Sequence, residues 1–106
     1  MSVVLPSEPG AGAPDAGALA DAARACPSVV DVTGGALDEV ATHLPGRRVP
    51  GVRITDDAVE IHVVASMAAE SLPTVGEEVR ARLRPLAAGR RVDVYIDDVA
   101  QPELAP

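Results

Sequence analysis

The 106-residue chain has room for one small domain, and a chain of this size buries roughly 60–70% of its unfolded surface, enough for one modest core. It contains no Phe or Trp and a single Tyr, Tyr95, so the core must come from 16 Val, 8 Leu and 3 Ile, and base-stacking recognition of single-stranded nucleic acid is excluded. Nine basic residues, all Arg, against sixteen Asp and Glu leave a formal charge of -7, which repels phosphate backbones and anionic lipid headgroups at long range.

Leu5 to Pro14 holds three prolines and two glycines, a composition that removes backbone donors and raises entropy, so residues 1–14 read as a flexible leader. Residues 100–106 carry two more prolines and read as a tail. A single α+β domain is expected between them, over residues 15–99. Asp15 can cap a helix in which Leu19, Ala22 or Ala23, and Cys26 share one stripe, and Pro27 ends it. Ser28 to Thr33 is short and β-branched, a strand before the Gly34-Gly35 turn. The stretch Ala36 to Leu44 fits both periods: Leu37, Val40, Ala41 and Leu44 make a helical face, while Val40, Thr42 and Leu44 alternate. An extended or irregular segment is the favoured reading.

Pro45-Gly46 and Pro50-Gly51 bracket Arg47-Arg48-Val49, which turn chemistry makes an exposed basic loop. Val52 to Thr55 and Ala58 to Ala65 then form a hairpin about Asp56-Asp57, with Val59, Ile61 and Val63 on one face and Glu60, His62 and Val64 on the other. Ser71 or Leu72 opens a second helix whose stripe is Leu72, Val75, Val79, Leu83 and Leu86, and Pro85 should end it near Arg84. Arg91 to Val99 alternates, Val92, Val94 and Ile96 inward and Asp93, Tyr95 and Asp97 outward. A helix between the last two strands forces a crossover, so the final strand should run parallel to another. The expected architecture is a small mixed β-sheet with two helices packed on one face, a two-layer sandwich.

Candidate chemistry is sparse. Glu60 and His62 lie two apart on one strand face and, with His43, offer a divalent-metal or ligand site, the alternative to a solvated sheet face. Asp56-Asp57 and Asp97-Asp98 sit where Asp is ordinary turn chemistry. Cys26 falls on a buried stripe without a His at a recognisable spacing, which argues for packing rather than nucleophilic catalysis, and no glycine run has a phosphate-cradling pattern. No catalytic residue, cofactor or metal is expected, and the chain is expected not to be an enzyme. Arg47, Arg48 and Arg53 place three guanidinium groups within seven residues of an acidic chain, suited to carboxylate or phosphate contacts with a partner; their alternative is internal pairing to the Asp and Glu excess. Arg90 and Arg91 can extend the set. The Met1 to Leu5 start lacks a basic n-region and no run of 18 apolar residues occurs, so a cytoplasmic protein without membrane insertion is expected.

The segments CPSVVDVTGG, LPGRRVPGVRI, DDAVEIHVVAS, LPTVGEEVRARLRPL and RRVDVYIDDV, in that order, resemble the alkaline shock protein family of bacterial general-stress and envelope-stress proteins, over about two thirds of the chain. The chain departs from the family at Met67-Ala68, where a small-plus-aromatic step is usual, and at His43 and Cys26. The resemblance implies a non-enzymatic cytosolic protein of the envelope stress response that self-associates, and it implies recruitment to the membrane through an integral membrane partner. The element order is also similar to that of small iron–sulfur assembly scaffolds, whose Cys signature is absent here.

Overall fold

A computed structural model describes residues 14–34, 40–44 and 47–101, and of His43, Leu44 and Arg47 the backbone. The expected leader, apart from Pro14, which is buried, and the expected tail beyond residue 101 lie outside the described residues. Helix α1 spans Ala16–Arg24 and begins where Asp15 turns extended and its carboxylate accepts the Gly17 and Ala18 amides, satisfying donors that a helix start leaves open. Ala16, Leu19, Ala20 and Ala23 form its buried stripe, continued by Cys26 beyond the helix end. Helix α2 spans Leu72–Leu83, capped by the Ser71 hydroxyl on the Thr74 amide, and a single 3-10 turn, Arg84–Leu86, follows at Pro85.

Among the described residues six strands complete the fold: β1 Val29–Val32, β2 Ala41–Leu44, β3 Arg47–Pro50, β4 Val52–Ile54, β5 Ala58–Ser66 and β6 Arg91–Ala100. Strand β5 is the axis. On one edge it pairs antiparallel with β4 through Val59–Ile61 and with β1 through Val63–Ala65, so these two short strands follow one another along the same edge. On its other edge it pairs with β6 in parallel over its full length, the crossover arrangement that the intervening helix requires. Because strand side chains alternate, Val59, Ile61, Val63 and Ala65 share one face, and all join a single core with Leu19, Ala23, Val75, Val79 and Leu83 from the two helices. The fold is thus a small α+β domain with a helix-covered face and an opposite, open face.

Two strand irregularities keep charge out of that core. Along β6 the register with β5 slips between Val63 and Val64, so that Ile96 faces Val63 while Asp98 faces Val64. Strict alternation would send Asp98 under the helices; the extra residue lets Asp97 and Asp98 both turn to the open side and returns Val99 to the level of Ala65. Strand β1 slips at the same height, between Val29 and Asp31. Val29 and Val32 stay buried and Asp31 points to solvent, where it pairs with Arg24 at 3.3 Å.

Two expectations need correction, and one open reading is resolved in part. Arg47-Arg48-Val49 is not a loop: it forms most of β3, antiparallel to β2, with His43 opposite Arg48 and Val49 opposite Thr42. Turn-forming residues at either end of a segment mark a hairpin strand as readily as a loop, and the buried Val49 anchors this one. The ambiguous stretch 36–44 resolves at its end into strand β2, while residues 35–39 lie outside the described residues. In α2 only the middle of the apolar stripe is covered. Val75, Val79 and Leu83 are fully buried, but Leu72 and Leu86 are 47% and 40% exposed.

Candidate functional site

Sheet pairing brings charged and aromatic side chains together on the open face. Arg53 of β4 lies opposite Glu60 of β5 and approaches its carboxylate at 3.8 Å. His62, two residues on, lies beside Tyr95 of β6, and the two rings stack with centroids 4.6 Å apart and planes 6° from parallel. The imidazole is held at both nitrogens: Nε2 is 2.6 Å from Glu60 Oε2 and Nδ1 is 2.8 Å from Asp97 Oδ2. His62 is only 9% exposed, on a face that no helix among the described residues covers. It also sits at a seam, since its backbone N–H donates to Gly51 and its carbonyl accepts from Thr33, joining the start of β4 to the end of β1.

The chemistry of the cluster follows from those two contacts. A neutral imidazole has one N–H and one lone pair, so both contacts are hydrogen bonds together only when the ring carries two protons or one carboxyl carries one. While both hold, neither nitrogen offers a lone pair to a metal ion or to a reacting proton. The expected partnership of Glu60 with His62 is present, but the third group beside the ring is Asp97, not a residue the sequence placed there. His43 is on β2, opposite Arg48. Among the described residues no three His, Cys, Asp or Glu side chains stand as a group able to hold a metal ion.

The arginines divide. Arg47 and Arg48 lie on β3 and Arg53 on β4, with Arg48 exposed and Arg53 turned to Glu60. Arg90 Nε donates to the Thr55 carbonyl at 2.8 Å, just beyond β4, and Arg91 grips both oxygens of Asp93 at 2.8 and 3.1 Å. That fork holds the Asp93 carboxyl below the usual carboxylate range by hydrogen bonding to its charged form.

Cys26 is buried, its thiol turned to the Ala22 carbonyl. Burial pushes its pKa up, and the nearby Glu78 carboxylate adds to the effect. Modification by a thiol reagent at pH 8 should therefore run at least about tenfold slower than in the unfolded chain; a rate equal to that of the unfolded chain would contradict this placement. The stabilisation from keeping this thiol neutral is complete below the unfolded value, about 8.5, and is lost as pH rises past it toward the higher folded value.

No family model, curated protein or solved structure matches the chain. The fold and the open face define a small two-layer α+β domain with a histidine locked between carboxylates. No helix among the described residues is long and apolar enough to cross a membrane.

Proposed function

We propose that this chain is a non-catalytic protein of the envelope or general stress response, working in the cytoplasm through contacts with copies of itself and with an integral membrane partner that recruits it to the inner face of the membrane. The likeness of its ordered segments to the alkaline shock protein family supplies the class. One structural observation supports the mode of action: the ring best suited to chemistry, His62, has both nitrogens engaged by Glu60 and Asp97, whereas the sheet ends on one side in a ten-residue strand, β6, that pairs only with β5 among the described residues. Edge strands of that length join other chains readily. Strand β4, on the other side, is short and partly used, since the Val52 carbonyl already accepts the Thr42 hydroxyl at 2.6 Å. Arg47, Arg48 and Arg53 are assigned to contacts with carboxylates of a partner.

The test combines sedimentation equilibrium of the purified full chain with co-purification at endogenous level under gentle membrane extraction. Reversible self-association, together with one integral membrane protein recovered in stoichiometric amount, is the expected result. A chain that remains monomeric at all concentrations and recovers no such protein overturns the proposal.

A further inference from the structure

The outer edge of β6 is a slot of defined length. In a parallel ladder, residues alternate between bonding to the neighbouring strand and pointing away from it. The Arg91 N–H donates to Asp57 and the Ala100 carbonyl accepts from Met67, so the Arg91, Asp93 and Tyr95 backbone groups face β5 while those of Val92, Val94 and Ile96 face outward. After the one-residue slip at Asp97 the outward position moves to Val99. The protein closes both ends of this outward row with side chains: Arg80 Nε of α2 donates to the Val92 carbonyl at 3.3 Å, and Asp98 Oδ1 accepts the Val99 N–H at 2.8 Å. Between them stand the N–H and C=O of Val94 and of Ile96, with which no other strand pairs among the described residues.

Side chains flanking the slot state what it fits. On the open face lie Asp93, the 45% exposed Tyr95, and then Asp97 and Asp98; on the helix face lie the partly buried Val94 and Ile96. A second copy of β6 paired antiparallel about the centre of the slot, at Tyr95, sets Asp93 directly opposite Asp97, and like charges facing one another across strands are destabilising, so that register does not favour self-pairing. We propose that the β6 edge binds a short, extended, basic segment of another protein, with Arg or Lys over Tyr95 and beside the Asp97 and Asp98 carboxylates, Asp93 being already held by Arg91, and with aliphatic side chains over Val94 and Ile96. Backbone bonding at Val94 and Ile96 supplies the affinity common to strand addition, the carboxylates select basic residues, and the Tyr95 ring accepts a guanidinium on its exposed surface. This assignment rests on the reading of the chain as an interaction protein, and it names the chemistry of the partner at one edge.

The probe is a short synthetic peptide alternating arginine and valine, compared with the same peptide carrying glutamate in place of arginine. Amide exchange of the full chain is followed by NMR at Val94 and Ile96. The arginine peptide should slow exchange at these two amides by about tenfold or more, bind more weakly as salt rises, and lose several-fold in affinity with Asp98→Lys, a substitution on an exposed side chain. The glutamate peptide should do none of this. Equal binding of the two peptides, or arginine-peptide binding that leaves the Val94 and Ile96 amides unchanged, overturns the assignment. So does finding these amides already protected in the free chain, whether at every concentration, which would mean another segment of the same chain lies on the edge, or only at high concentration, which would mean a second copy does. If the edge ignores the peptide while co-purification still recovers a partner, this assignment fails and the proposed function stands; if the peptide binds and the chain recovers neither copies nor a membrane protein, the proposed function is the part that fails.

Discussion

Replacing Gly51 by alanine is expected to destabilise the protein by about 3 kcal/mol or more, seen as a lower urea midpoint with little change in slope. Two independent penalties combine. Gly51 has φ +85°, a left-handed conformation that costs a residue with a Cβ about 1–2 kcal/mol. A Cβ built there also collides with Val32 Cγ1 and meets the Thr33 carbonyl at 3.0 Å, overpacking that adds roughly 1–3 kcal/mol. Neither Val32 nor Thr33 can step aside freely, because Val32 is buried in the core and the Thr33 N–H is bonded to His62. Gly51 itself accepts from His62 and donates to Val40, so any displacement strains the junction of β1, β4 and β5. Gly89 is the internal control. It has a comparable φ of +81° but open space around it, so Gly89→Ala should carry the backbone penalty alone, about 1–2 kcal/mol. Equal effects at the two positions would show that the close approach to Val32 is not felt.

Removing His62 is the second large perturbation. His62→Ala leaves the Glu60 and Asp97 carboxylates, 22% and 33% exposed, without the group that now separates and bonds them, and strips Tyr95 of its stacking partner. Loss of one member of a hydrogen-bonded, partly buried charge cluster costs about 2–3 kcal/mol once the access of water to both acids is allowed for. Arg53 offsets little of this, since it reaches only Glu60, and at 3.8 Å. The mechanism is distinguishable from simple loss of packing by a double-mutant cycle. Asp97→Asn in the His62→Ala background should recover part of the loss, giving a His62–Asp97 coupling of about 1 kcal/mol or more. Additive effects at the two positions, or a His62→Ala cost under about 0.5 kcal/mol, would mean that the cluster is a solvated arrangement with no energetic role.

The local signals in this chain were legible wherever the decisive contact is near in sequence. Asp15 and the amides it caps are two and three residues apart, the Ser71 cap spans three, and the hairpin of β4 and β5 closes through Thr55 and Ala58. The alternation of β5 and the opening of β6 needed no partner to be read, because burial on one face imposes a period of two on the sequence itself. From that came the α+β class and the parallel last strand.

What the sequence could not decide is set by pairing across long separations. Arg47-Arg48-Val49 looks like a loop until β2 lies beside it, and a chain of Pro-Gly, Arg-Arg, Val, Pro-Gly carries no mark of which neighbour it will have. Asp97 is 35 residues from His62 and reaches it only because β6 runs parallel to β5 in one register and slips by one residue beyond Ile96. The consecutive Asp97-Asp98 pair was visible as turn chemistry; that a bulge turns both to the open face is a consequence of the aliphatic core on the other side, where an ionised carboxylate would lose its hydration. Length, aliphatic content, charge and periodicity were thus enough to determine the two helices, the strands β1, β4, β5 and β6 and their layer, since each depends on local geometry and on which face must avoid water. The lock on His62, the need for Gly51 and the short open stretch of β6 were decided by tertiary structure alone, since each arises where strands distant in the chain come within a few ångströms of one another.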